Sequence, residues 1–138
     1  VLPPQLIDGS PHARERIDLC RAVTVQAKSP HLPEYAAATS IPAKPSPSKQ
    51  IGALVEASAW NKVREQVLAD VMTTSVIALR HLVSHGAITI DRASANVAIG
   101  EAVLAAIPGS DFNAKVFRPW ARDGARSARL RGTVYRAA

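Results

Sequence analysis

The sequence predicts a mainly α chain: a helical hairpin core, an extended proline-rich N-terminal arm before it and a basic C-terminal tail after it. Three observations carry this. From Trp60 to Ile107 apolar residues recur at spacings of three and four, with one break at His85-Gly86. Eight of the ten prolines lie before residue 48. The net charge is +6, and residues 113–138 alone hold seven Lys or Arg against one Asp, so the preceding 112 residues balance. The chain divides accordingly into 1–50, 51–109 and 110–138. At 138 residues there is room for one modest core, and with only 4% aromatics it is built from Ala, Val, Leu and Ile.

Residues 1–9 read as an extended arm, because Pro3 and Pro4 deny it helix, and Leu2, Leu6 and Ile7 want an apolar surface. Ser10-Pro11 is a cap followed by proline at the first helical position. Ala13, Ile17, Cys20 and Val23 make the apolar stripe of the helix begun there. Cys20, the single cysteine, excludes an internal disulfide and reads as a buried thiol. Thr24-Val25-Gln26 alternates as a short strand does. Residues 28–50 carry five prolines, which prevent any long helix, and read as a linker with one turn at Ala36-Ala37-Ala38. Leu32, Tyr35 and Ile41 in it are apolar, and the expectation is that this stretch lies extended on a partner chain. Ser46-Pro47 starts a short helix to Ala57 with Ile51, Leu54 and Val55 inward, and a bend is expected near Ser58.

The first long helix covers residues 59–85. Trp60, Val63, Val67 and Val71, with Leu68, Met72, Leu79, Leu82 and Val83, are read as its inward side. Lys62, Arg64, Glu65, Gln66 and Asp70 are read as its outer side. The polar side thins after Val71, which places the C-terminal half in the core or at a subunit contact. Residues 66–83 come nearest to a membrane span but are interrupted by Asp70 and Arg80, so no span is expected. Gly86 ends the helix. Thr89 or Asp91 caps the next one, with Ile90, Ala93, Val97, Leu104 and Ile107 inward. Gly100, among small residues, suggests close approach of a neighbouring helix. Pro108-Gly109 ends the element. In the tail Pro119 suits a helix start. Arg122, Arg126 and Arg129 share a helix face within roughly 60°, although Gly124 and Gly132 limit a continuous helix.

Motifs for chemistry are sparse. His81 and His85 have the spacing of two metal ligands, but Leu82 stands where the zinc-protease motif needs glutamate, and no third ligand is indicated. There is no nucleophile elbow, phosphate loop or dinucleotide fingerprint. Carboxylate pairs such as Glu15 with Asp18, or Glu56 with Glu65, stand beside Arg or Lys on surface faces. No enzyme, metal or cofactor is expected. Residues 89–107 can be tested as a helix-turn-helix reader with Gly100 at its turn, but the segment after it offers DNA only Glu101, which repels phosphate. The basic tail is the signal that remains. Lys115, Arg118, Arg122, Arg126, Arg129, Arg131 and Arg136 are the candidate nucleic-acid-binding residues, with Phe117, Trp120 and Tyr135 available for stacking.

Arms at both ends of a small centre suit a non-enzymatic structural subunit of a large assembly, whether ribosome-type, organellar or a viral nucleocapsid. Its expected partners are other protein subunits and RNA or DNA phosphate, with acidic protein or anionic lipid as other occupants of the tail. A small helical DNA-binding regulator is the alternative. The chain begins at Val1, as a processed or trimmed N-terminus does. Sequence leaves the compartment open between intracellular, organellar and virion.

Overall fold

The computed structural model describes Leu19 and residues 31–44 and 48–137. The readings of the N-terminal arm, of the helix from Ser10, of Cys20 and of the strand at Thr24 lie outside these residues, Leu19 excepted. The described residues are mainly helical and contain no strand. Their order is α1 (Leu32–Ala38), a 3-10 turn (Ser48–Gln50), α2 (Ile51–Glu56), α3 (Trp60–Ser84), α4 (Arg92–Ala106), a π-helical turn (Asn113–Phe117) and α5 (Arg118–Ala137).

Residues 31–44, part of the stretch expected to lie extended on a partner, fold back on their own chain instead. Pro33 sits in the first turn of α1, where a missing N–H costs nothing. The helix stops in a Schellman motif. Ile41 N donates to Ala36 O at 2.9 Å and Ser40 N to Ala37 O at 3.3 Å, with Ser40 left-handed at φ 56°. That reversal puts Ala36 (0% exposed) and Ile41 (4%) into the core. The segment then runs antiparallel to α3, held by polar links in register. Thr39 O accepts from Arg80 Nη1 at 3.0 Å. Pro42 O accepts from the Thr73 hydroxyl at 2.7 Å. Lys44 Nζ, its side chain buried, meets Asp70 Oδ2 at 3.0 Å. Proline denies this stretch a long helix, and side chains on α3 satisfy its backbone instead.

The same stop recurs twice more. Ala59 N to Leu54 O with Ser58 at φ 52° closes α2, and Ala87 N to Leu82 O with Gly86 at φ 71° closes α3. The bend expected near Ser58 and the stop expected at Gly86 are both there. In α2, Ile51 and Leu54 are half-buried while Val55, expected inward, is exposed.

α3 buries Met72 as its spacing suggested, but its inward stripe is centred elsewhere on the cylinder. Gln66, Ala69, Met72, Thr73, Val76 and Ile77 face inward. Trp60, Val67 and Val71 lie 52–57% exposed, on the opposite side of the cylinder. Both stripes have helical spacing, and a polar partner explains how one member of the buried stripe, Thr73, comes to face inward. Thr73 can be buried because its hydroxyl reaches Pro42 O and Ala69 O. Glu65 and Asp70 also turn toward neighbours rather than water. Leu79 is half-buried. By length and composition alone α3 does qualify as long and apolar enough to cross a membrane.

Asp91 caps α4, its carboxylate accepting from Ser94 N at 3.1 Å and from the Ser94 hydroxyl. These bonds hold its pKa below the usual value. Ile90 and Ile107, expected inward, are exposed. The next helix begins at Asp111 with Ser110 as cap: Asn113 N donates to Ser110 Oγ at 3.2 Å. Glu65 of α3 reaches across to accept from Phe112 N (3.0 Å) and Ser110 Oγ (3.1 Å), so two elements share one cap. Neither Pro119 nor the glycines interrupt the helix beyond this cap. Arg118 N donates to Asn113 O, one residue beyond the α register, so the missing N–H of Pro119 falls where the ladder is already shifted. Gly124 and Gly132 lie inside α5, at a propensity cost of about 1 kcal/mol each. Phe112 (5% exposed), Phe117 (0%) and Ala121 (2%) anchor this end of the chain in the core beside Met72, Val76 and Ile77. The stretch read as a tail therefore starts inside the core.

Candidate anion-binding surface

The basic helix α5 is positioned by its packing on α4. Gly100 lies at the crossing, between Val97 and Leu104, and is buried. A Cβ there would stand 2.9 Å from Arg118 Cγ and 3.5 Å from Phe117 Cδ1. The close approach suggested by Gly100 is thus present, with α5 as the neighbour. Asn113 locks it, donating from Nδ2 to Gly100 O at 2.9 Å. Since Gly100 sits in mid-helix, residues 89–107 contain no helix-turn-helix turn.

The seven candidate cations divide among different surroundings. Arg118 places Nε and Nη2 at 3.2 and 3.0 Å from Glu101 Oε1, and Arg122 Nη2 reaches the same oxygen at 3.3 Å. The Arg118 bonds, before any other cause, hold the Glu101 carboxyl below its ordinary pKa. Glu101, which the sequence casts as repelling phosphate, is occupied by the tail's own arginines. Lys115 pairs with Asp111 at 3.2 Å, both exposed, one helical turn apart. Such a surface pair contributes little to stability. Arg122, Arg126 and Arg129 are all exposed and succeed one another along the outer face of α5, away from Phe117 and Ala121. Arg136 lies in α5 beyond the side chains described.

Arg131 belongs elsewhere. It lies roughly opposite Arg122 around the helix and lines a cleft of about 450 Å³ with Arg80 of α3 and Arg92 of α4. Neither Arg80 nor Arg92 was a sequence candidate. The one signal was Arg80 itself, a lone cation in the apolar half of its helix. Burial first, then the nearby charge of Arg92, pushes the Arg80 pKa below its ordinary value, while Tyr35 acts in the other direction. Trp120 also borders the cleft, its ring packed against Phe117 with centroids 5.5 Å apart and its Nε1 donating to Ser40 O at 3.0 Å.

His81 and His85 stack at 5.7 Å, and His81 O lies 2.9 Å from His85 Nδ1. Among the described residues no third His, Cys, Asp or Glu joins them. Comparison with protein families, with curated proteins and with solved structures finds no match to this chain.

Proposed function

We propose that the chain is a non-enzymatic structural subunit of a large assembly, ribosome-type, organellar or nucleocapsid, joined to neighbouring protein subunits and holding RNA or DNA phosphate through α5. The observation that carries this reading is the two-sided character of that helix. Phe117 and Ala121 anchor it in the core, while Arg122, Arg126 and Arg129 stand exposed on its outer face. A row of guanidinium groups suits a polyanion, because each fork matches phosphate oxygens. The exposed stripe of Trp60, Val67 and Val71 suits burial against a neighbouring subunit. We read α3 as a core helix rather than a membrane span, because Asp70 and Arg80 within it have partners in Lys44 and Thr39 O. The alternative, a DNA-binding regulator, loses support from Gly100 lying in mid-helix.

The test compares the full chain with an Arg122→Ala/Arg126→Ala/Arg129→Ala variant for binding of single-stranded RNA and duplex DNA across a salt series. The variant should keep its circular dichroism spectrum and melting temperature. Its affinity should fall, and each phosphate that it no longer engages should reduce the salt slope by roughly 0.7–0.9. An acidic protein partner would instead give salt-sensitive binding that added RNA or DNA does not compete. Unchanged affinity and slope in the variant would refute the reading.

A further inference from the structure

We infer that the cleft between α3, α4 and α5 is a binding site for a phosphorylated small molecule, its phosphate held by Arg80, Arg92 and Arg131 and its body lying toward Trp120. This site is separate from the outer face of α5 and stands or falls independently of the function proposed above.

Charge comes first. Three arginines from three different helices line one cleft, and among the described residues no Asp or Glu lines it. Among the described residues none of the three is ion-paired with a carboxylate. Of the carboxylates on α4 and at its cap, Asp91 bonds Ser94 and Glu101 bonds Arg118 and Arg122. Like charges gathered together repel: the Arg80 pKa is lowered by burial first and by the charge of Arg92 second. A dianion relieves the repulsion, and phosphate offers the oxygens that several planar forks can engage at once.

Arg80 is also fixed in place. Its Nη1 donates to Thr39 O at 3.0 Å, which leaves the rest of the fork available while the side chain is oriented by the fold. Asn96, one turn into α4, adds an amide that can donate or accept.

Size then selects the ligand. At about 450 Å³ the cleft is far roomier than one oxyanion requires, and falls in the range of small-molecule sites, ~300–1,000 Å³. The remaining wall is Trp120 together with Ser40, Gly124 and alanines of α4 and α5. An aromatic face beside small residues accepts a flat ring without steric cost. The chemical class is therefore a phosphate monoester carrying a planar group, of nucleotide size. Gly124 fits this reading, since it lines the cleft and a Cβ there meets nothing within 4 Å.

The experiment uses Trp120 as reporter. The chain has two tryptophans, so a Trp60→Phe background leaves Trp120 as the only indole. Adenosine monophosphate, inorganic phosphate and adenosine are titrated separately against the full chain, with calorimetry as a second readout. Adenosine monophosphate should give saturable binding with Kd of about 1 mM or tighter, and both phosphate and adenosine should bind more weakly. Arg92→Gln and Arg131→Gln, both at exposed positions, should each weaken it about tenfold or more. Arg122→Gln/Arg126→Gln, on the outer face, should leave it unchanged. Gly124→Leu should abolish binding by filling the cleft while the melting temperature does not fall. No saturation by about 10 mM, adenosine binding as well as its monophosphate, or equal losses from the outer-face variant would each overturn the site. Inorganic phosphate binding as tightly as the nucleotide would overturn the assignment of a planar body.

Discussion

Replacing Gly100 by alanine sets two effects of similar size against each other. Alanine in a helix interior is favoured over glycine by about 1 kcal/mol. Against that, the new methyl would lie 2.9 Å from Arg118 Cγ. Cγ is the middle of that side chain, and the guanidinium beyond it is held at Glu101 by two bonds of 3.0 and 3.2 Å. The arginine cannot swing aside without releasing them, and overpacking of this kind costs ~1–3 kcal/mol. Phe117 Cδ1 at 3.5 Å and Asn113 Oδ1 at 3.6 Å are ordinary contacts and add nothing. Gly100→Ala should therefore be neutral to destabilising by about 2 kcal/mol. Once Arg118→Ala has removed the obstructing side chain, the same substitution should stabilise by about 1 kcal/mol. The assay is a double-mutant cycle in urea, monitored by circular dichroism, and the reversal of sign is the diagnostic. Equal stabilisation by Gly100→Ala with and without Arg118 would show that α4 and α5 do not meet at this crossing.

The same packing sets other outcomes. Met72→Ala should cost about 2–5 kcal/mol and its neighbour Val71→Ala under about 0.5, since Met72 is 1% exposed and Val71 57%; equal midpoints in urea would mean that the inward stripe is misplaced. Gly86→Ala should destabilise by ~1–2 kcal/mol, the cost of a left-handed residue, whereas Ser58→Gly at φ 52° should raise the melting temperature. Burial, with the charge of His85, lowers the His81 pKa. Its unfolded state thus binds more protons, so stability is fully present above the ordinary value of about 6.5 and falls as pH drops from 7 toward 5. A flat urea midpoint over that window, or one that His81→Leu leaves just as steep, would remove His81 as the cause.

The positions of the helices were legible because their ends are written in local chemistry. Asp91 caps α4, Gly86 closes α3, and the reversal at Ser58 falls where the apolar pattern changes phase. These signals act over a few residues, so sequence spacing reports them directly. Which side of α3 faces inward was not legible, because Trp60, Val67 and Val71 have the same spacing as the stripe that is buried. Thr73 and Gln66 look like surface residues until Pro42 O and the packing of residues 39–44 are known. The fold-back of 31–44 was hidden for the same reason. Its proline count argued correctly against a long helix, but its backbone is satisfied by Thr73 and Arg80, more than thirty residues away. Phe112 was passed over, and Phe117, read as available for stacking on bases, is instead 0% exposed in the core, because the arginines around both dominated the reading of that stretch.

The charge pattern shows how a correct total can conceal the relevant groups. The net +6 does lie in residues 113–138, and the rest of the chain does balance. Balance along the sequence is not neutrality in space. Asp91 is drawn to Ser94, Asp70 to Lys44, and Glu101 across to Arg118 and Arg122. Asp70 and Glu101 thereby direct their charge at Lys44, Arg118 and Arg122 and not at the cations of the cleft. Arg80 and Arg92 are left in the nominally neutral part of the chain, and the turn of α5 brings Arg131 to the same cleft as both. A hundred degrees per residue thus separates two arginine groups that composition merges, one along an outer face and one around a cleft. Their ligands should differ in the same way: a polymer for the row, a compact phosphate monoester for the cleft.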